Sequence, residues 1–460
     1  MPPFLLPQSP VESIDEYLAT DHGGLGLQRA QTLGPEATIE EVRRSGLRGR
    51  GGAGFPTGRK WAGVRDQSGS RHYVVGNAAE GEPGTFKDRA LLRANPYQLV
   101  EGVLIAASTL AAEEVFICLK RSFEREIAAV TRAISEFQQA GVCTDCTVTV
   151  VAGPEEYLFG EEKAMLEVIE GNAPMPRLLP PHEHGLFATA PQTGWQATSP
   201  REGGSGRFES NPTLVNNVET LCNVTHILAR GAEWFRSMGT DESPGTLLCT
   251  VTGDVVAPDV GEVELGTPLS AVLDAVGSGV GDGRRIKAVF SGVANAVVTA
   301  EHLDVALTYE SFKAIGSGMG SGGFIVYDDT ACMVEVARQF SRFLHVESCG
   351  QCPPCKQGSA EITRRLELIE AGTAEEHHIS EMGGWLTRVT DANRCYLGTE
   401  EQVVVSSILR AFPEEFAKHL EGHRCPRPRE LAFPKIVDMA GGRATYDPNQ
   451  HRKQPDWTYS

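Results

Sequence analysis

The stretch Glu347-Ser348-Cys349-Gly350-Gln351-Cys352-Pro353-Pro354-Cys355-Lys356 constrains the chain more than any other. Two C-x2-C steps share a middle cysteine, so three thiols fall within seven residues. Such a run supplies three corners of a [4Fe-4S] cubane, whose fourth iron needs a thiolate from elsewhere. Cys395, in Asn393-Arg394-Cys395-Tyr396-Leu397-Gly398, is the natural candidate, and the fold must then bring two segments 39 intervening residues apart to one place. Zinc is the main rival, but zinc sites usually arrive as two separated pairs and no second pair follows. Three cysteines buried for packing alone are the bland alternative. The motif predicts an electron-transfer protein with Cys349, Cys352, Cys355 and Cys395 as metal ligands.

The bulk properties exclude several classes. A length of 460 residues suggests two to four domains. The formal charge of −18 argues against a nucleic-acid partner. No uncharged apolar run is long enough to span a bilayer, and the first residues lack the basic and apolar regions of a signal peptide. Eleven cysteines, an odd number, do not read as a secreted disulfide scaffold. A cytoplasmic location is expected, with any membrane attachment made through partner subunits.

Residues 1–40 read as an arm with a short helix near Val11–Leu18. Then six glycines fall within Gly46–Gly58, followed by Arg59, Lys60 and Trp61. Residues 41–65 carry seven Arg or Lys and one acidic residue. Backbone N–H groups freed by glycines form anion-binding nests, so the loop suits a phosphate. Its spacing is neither the dinucleotide fingerprint nor a P-loop. A flexible linker is the alternative, but a linker has no need of the embedded arginines, Phe55 and Trp61.

Strands are expected at Tyr73–Val75, Val115–Leu119 and Thr147–Val151, with helices at Pro96–Leu110 and Ser122–Gln139 between them. This β-α-β-α-β alternation predicts an α/β sheet that binds ligands at its strand ends. Gly76-Asn77-Ala78-Ala79-Glu80-Gly81-Glu82 follows the first strand. Tyr157-Leu158-Phe159-Gly160-Glu161-Glu162 opens a helix. There the two carboxylates either complement the helix dipole or bond a ring or ribose. Asn216 and Asn217 suggest a polar contact within a pocket. Cys143 and Cys146 read as structural or incidental. Gln192–Asn211 reads as an exposed insertion. Residues 245–328 read as a small α+β module, and from Thr330 the chain turns helical, at Met333–Leu344, Ser359–Glu370, Glu401–Ala411 and Glu414–Leu420. The tail beyond Tyr446 reads as polar and loose.

Taken in this order, Leu47–Trp61, Asn77–Arg89, Gly160–Gly171, Pro176–Phe187, Pro212–Val224, Gly316–Val334, Glu347–Gly358 and Arg394–Gly398 resemble the flavoprotein subunit of respiratory complex I. That family includes the related subunits of NAD-linked hydrogenases and formate dehydrogenases. The resemblance covers about residues 40–425. It implies a Rossmann-like α/β FMN domain at 41–240, a β-grasp-like domain at 245–328 and a helical [4Fe-4S] domain at 330–435, with a tail at 436–460. It implies a hydride passed from NADH to FMN and single electrons passed on to the cluster. Gly49, Gly51, Gly52, Lys60, Asn77, Glu80, Gly160, Asn216, Asn217 and Thr220 are implied to line FMN. Phe55, Glu82, Tyr157, Glu161 and Glu162 belong by the same resemblance to the cofactor cleft, Glu162 near the nicotinamide. The partners implied are the other subunits of a redox complex, including a separate thioredoxin-like [2Fe-2S] subunit.

The departures gather on the nicotinamide side. Ala79 replaces the family's aspartate, Gly63 and His182 replace aromatics, Leu179 replaces a lysine, and Lys163 replaces a threonine. NADH is therefore expected to bind weakly for this family, or to be gated by the insertion or a partner. An FMN and [4Fe-4S] subunit serving a different donor or acceptor is the alternative reading, and a scaffold with a degenerate nucleotide site a third.

Overall fold

The computed structural model of the chain describes residues 3–67, 71–142, 145–190, 192, 209–422 and 431–458. Cys143 and most of the Gln192–Asn211 insertion lie outside the described residues. The chain forms two compact units. The first comprises Met1–Glu80, Asp88–Glu155 and Phe159–Leu247; the second comprises Gly81–Lys87, Glu156–Leu158 and Leu248–Ser460.

The first unit is built on four strands, β1 (Tyr73–Asn77), β2 (Glu114–Lys120), β3 (Thr147–Gly153) and β4 (Thr213–Asn217). Their order is β3-β2-β1-β4, and every pairing is parallel. Parallel strands covered on both faces read as continuous apolar runs, as Val74–Val75 and Val115–Leu119 do. The helix Pro96–Leu110 crosses from β1 to β2, and Glu124–Gln139 crosses from β2 to β3. Asn95 caps the first of these by accepting from the Gln98 N–H, with Pro96 in its first turn. That helix has one exposed residue and needs small side chains at its contacts. A Cβ on Gly102 would lie 2.5 Å from the Leu221 carbonyl oxygen of the helix Val218–Arg230. After β3 the chain returns to the far side of β1 to form β4. The order therefore reverses between β1 and β4, the place where open α/β sheets leave a crevice at their C-terminal edge.

The first 40 residues, expected to be an arm with a short helix, carry that helix at Ile14–Leu18 and pack on the unit. They hold the helix Leu25–Leu33 and most of Pro35–Ser45, which runs to residue 45, and they satisfy a buried carboxylate on Pro96–Leu110. The Tyr17 hydroxyl donates to Glu101 Oε2 at 2.5 Å, and the Gly24 and Leu27 N–H groups donate at 2.8 Å each. A fully buried charge requires such donors, so the segment is bound to the unit.

The second unit holds a five-stranded mixed sheet. It comprises β5 (Thr246–Gly253), β6 (Asp259–Glu264), β7 (Ile286–Ser291), β8 (Val298–Thr299) and β9 (Gly323–Asp328), in the order β6-β5-β9-β7-β8. The helix Leu269–Gly277 packs against β6, giving the expected β-grasp-like module. Among the described residues five α-helices follow, Met333–Glu347, Pro353–Glu370, Glu376–Arg388, Leu397–Ala411 and Pro413–Leu420. Three corrections apply here. The expected helix Ser359–Glu370 begins six residues earlier, at Pro353, because Pro at the first turn suits a helix start. The helix Glu376–Arg388 is additional to those expected from the sequence. Beyond Tyr446 the described tail is packed, with Gln450 buried; before it β10 (Ile436–Ala440) and β11 (Arg443–Tyr446) pair as a hairpin.

Candidate functional sites

In the first unit four chain segments meet at the C-terminal edge of the sheet. Asn77 and Asn217 end β1 and β4 side by side in register. The Asn77 amide donates to the Gly160 carbonyl at 2.8 Å, tying β1 to the loop that follows β3. The Asn217 amide donates to Asp88 at 2.8 Å, while its oxygen caps the helix Val218–Arg230 by accepting from the Glu219 N–H. Asn216 accepts from the indole N–H of the fully buried Trp61 at 2.8 Å. Thr220 Oγ1 accepts from the Arg50 N–H at 2.9 Å, which ties the glycine loop to that helix's first turn.

The glycine loop is itself a narrow hairpin. The Gly49 N–H donates to the Phe55 carbonyl and the Thr57 N–H to the Leu47 carbonyl, both at 2.9 Å. Gly52 and Gly54 adopt φ of 127° and 61°, which disfavour other residues. Two of the embedded arginines bond within and beside the loop. Arg50 is 1% exposed and donates to the carbonyls of Thr246, Arg48 and Pro244. Arg48 Nε donates to the Gly54 carbonyl at 2.7 Å. These cations hold the loop's shape. Lys60, one turn into the helix Thr57–Arg65, reaches Glu162 at 2.8 Å, with both side chains about a third exposed.

Glu80, expected to line a flavin, is held within the turn that follows β1. Its carboxylate is 3% exposed, paired with Arg89 Nε at 2.8 Å and accepting from the Asp88 N–H at 3.0 Å. Those donors answer a buried charge, and it secures the turn after β1. Glu161 caps the helix Glu162–Ile169 by accepting from the Lys163 and Ala164 N–H groups. Burial pushes its pKa up to about 7, Glu162 adds to the rise, and Lys163 with the two N–H groups opposes it. Phe55 is 49% exposed, with the Arg59 guanidinium 5.6 Å from its ring centroid. Ala79 is buried in the apolar cluster of Tyr73, Val75, Phe159 and Met165, where an aspartate would be desolvated. At Gly63 nothing lies within 4 Å of a built Cβ, so the missing aromatic leaves open space.

These features fit FMN. Glycine backbone at Gly49, Gly51, Gly52 and Gly160 admits close approach, and a helix N-terminus and Lys60 favour a phosphate. The polar side chains that set the edge are already held by one another.

Glu82 and Tyr157 belong to the second unit, where they contact each other. The Tyr157 hydroxyl donates to Glu82 Oε2 at 2.5 Å and lies 3.3 Å from Glu400. Glu82 Oε1 accepts from the Val293 N–H at 2.6 Å. Burial raises the Tyr157 pKa well above the phenol range, and both carboxylates reinforce the rise.

The second site lies in this unit. Cys349, Cys352, Cys355 and Cys395 line one pocket of about 270 Å³, with Leu158, Ser348, Asn393, Arg394 and Leu397. Cys352 is the N-cap of Pro353–Glu370 and Cys355 sits in its first turn, so the motif is a loop running into a helix. Cys395 stands two residues before the helix Leu397–Ala411. Two helix N-termini thus border an anionic cluster, which the helix dipoles favour. Gly398 cannot carry a side chain, since its Cβ would lie 2.1 Å from Asn393 Nδ2. Burial pushes the Cys355 thiol up to about 12, the neighbouring Cys349 and Cys352 add to this, and a hydrogen bond from Ser348 opposes it. Cys355 would have to give up that proton to hold iron as a thiolate. The four cysteines line one pocket, and together they would supply the four thiolates that a four-iron cluster requires. Ser348, Asn393 and Leu158 line the pocket without any spacing in the sequence to mark them.

Among the described residues no helix is long and apolar enough to cross a membrane. Residues 42–226 match the family described as the Nuo51 FMN-binding domain, and residues 335–419 match the NADH-ubiquinone oxidoreductase-F iron-sulfur binding region. The chain is 37% identical to the F 2 subunit of the NADH-quinone oxidoreductase of Rhizobium meliloti, over 90% of this chain and 97% of that one. It is 33% identical to the HndC subunit of the NADP-reducing hydrogenase of Solidesulfovibrio fructosivorans, over 90% and 82%. A crystal structure of an NAD+-reducing [NiFe]-hydrogenase superposes with a TM-score of 0.76 at 30% identity, covering 90% of this chain and 67% of that chain.

Proposed function

The chain belongs to the family of NADH-quinone oxidoreductase F subunits, and we propose that it is the electron-input subunit of a multi-subunit oxidoreductase, exchanging electrons with NAD(H). FMN, when bound, exchanges a hydride with the dinucleotide and single electrons with the cluster. Gly49, Gly51, Gly52, Lys60, Asn77, Gly160, Asn216, Asn217 and Thr220 hold FMN, by contact or by setting the loops around it. Glu161, Glu162 and Phe55 receive the dinucleotide, with Glu162 nearest the nicotinamide. Cys349, Cys352, Cys355 and Cys395 hold the cluster. The other subunits of the complex, including a thioredoxin-like [2Fe-2S] subunit, accept the electrons, and they attach this cytoplasmic subunit to a membrane.

The observation that carries this reading is the convergence of four cysteines from two distant segments on one pocket. The test is cofactor analysis of the purified chain, followed by NADH titration of the flavin absorbance. FMN, about four irons per chain and bleaching by NADH support it. Absence of iron from the folded chain would refute the cluster assignment.

A second reading, a different donor, is favoured by Lys163. Its ammonium stands 3.9 Å from Glu161 Oε1, placing a cation where the family has a neutral threonine. Reduction of the flavin by another donor, with none by NADH in the assembled complex, would select it.

A further inference from the structure

The C-terminal segment, polar in sequence, is fastened onto the cysteine loop. Arg342 Nη1 and Nη2 donate to the carbonyls of Gln450 and Lys453, at 3.1 and 2.8 Å. Lys435 Nζ donates to Gln450 Oε1 at 3.0 Å. Held in this way, the segment delivers two side chains to the loop.

The first is Lys453. Its ammonium donates to Glu347 Oε2 at 2.5 Å. Glu347 is 1% exposed and lies two residues before Cys349; the same oxygen accepts from the Tyr157 N–H at 3.0 Å. Lys435 stands farther off, at 3.9 Å. The second is Trp457. A Cβ on Gly350 would lie 3.0 to 3.3 Å from its ring and its Cβ, and Gly350 has φ of 72°. Glycine between the first two cysteines therefore serves both the turn and the indole. The Lys356 ammonium lies 4.9 Å from the centroid of the indole, directly after Cys355. Trp457 thus touches residues next to two of the three clustered cysteines.

We propose that residues 450–457 are a working part of the cluster site, in which Lys453 and Trp457 are positioning residues. Lys453 offsets the buried negative charge of Glu347 beside the first ligand, and Trp457 closes the Cys349–Cys352 turn against solvent. Cluster potentials respond to nearby charge and to solvent exposure, so both contacts tune the cluster as well as holding its loop. Removing a cation penalises the reduced, more negative cluster, so the potential should fall.

The proposal rests on the cluster assignment, and the wild-type chain tests that separately through its iron content and reduced-state EPR signal. The variants are Lys453→Met, Lys453→Arg, Trp457→Ala and Trp457→Phe in the full chain, prepared anaerobically. Lys453→Met should lower the midpoint potential in an EPR-monitored titration, and Lys453→Arg should restore it. Trp457→Ala should bleach several-fold faster in air-saturated buffer, with Trp457→Phe close to wild type. Loss of iron from Trp457→Ala with FMN retained would also support the proposal. A wild-type EPR signal whose potential and bleaching rate are unchanged in Lys453→Met and Trp457→Ala would overturn it while leaving the cluster assignment intact.

Discussion

Replacing Trp61 by Phe tests whether the sheet edge is set by its own hydrogen bonds before a flavin arrives. The indole N–H is the 2.8 Å donor to Asn216 Oδ1, Trp61 is fully buried and Asn216 is 5% exposed. Phe keeps an aromatic ring and removes the donor. A buried acceptor left without its partner costs about 1–3 kcal/mol, and the smaller ring leaves a void worth about 1 kcal/mol more. Only the part that orients Asn216 should appear in flavin affinity. If that is the hydrogen-bond term, FMN should bind roughly 5- to 150-fold more weakly. The assay is fluorescence titration of the flavin-depleted chain with FMN, for Trp61→Phe, Asn216→Ala and the double variant. If the indole acts through the amide, the double variant should bind no more weakly than Asn216→Ala, with a coupling of about 1–3 kcal/mol. Additive losses would refute the reasoning, because they would mean that Trp61 supports the flavin by a route other than Asn216.

Gly58→Ala should lower both flavin loading and stability by about 1–3 kcal/mol, because the new methyl would lie 2.6 Å from the Arg43 Cα; thermal melting with flavin release checks it. The raised pKa of Glu161 means that the folded chain keeps a proton which the unfolded chain gives up. Its contribution is fully present below the ordinary glutamate range and is lost as pH rises through about 7. Urea midpoints of the flavin-free chain should therefore fall over that window, and Glu161→Gln, which keeps a capping oxygen, should flatten the fall. Cys395→Ser should lower iron content and change or abolish the reduced-state EPR signal, whereas Cys146→Ser should leave both intact.

Much of this protein is local and therefore legible in the sequence. Three thiols in seven residues select iron–sulfur chemistry because few other uses need that density. Apolar runs separated by amphipathic helices specify a parallel sheet because only that arrangement buries both faces. Asn95-Pro96 marks a helix start by its own capping chemistry. The roles of individual charges are different, since a charge acts through what surrounds it. In sequence Arg50 is one of several cations around a glycine loop; in the fold it is a brace among carbonyls. Glu80 stands in a glycine-rich turn, and only the fold shows that it is a buried partner of Arg89. Residues 1–40 read as an arm with a short helix and the tail beyond Tyr446 as loose, because the partners that hold them lie far away in the sequence. Their order comes from long-range contacts, Tyr17 to Glu101 and Lys453 to Glu347 among them, and a pairing between residues 84 or 106 positions apart leaves no trace in either segment alone. Tertiary structure decides such contacts because a buried carboxylate takes its donors from whichever segment the fold brings past it.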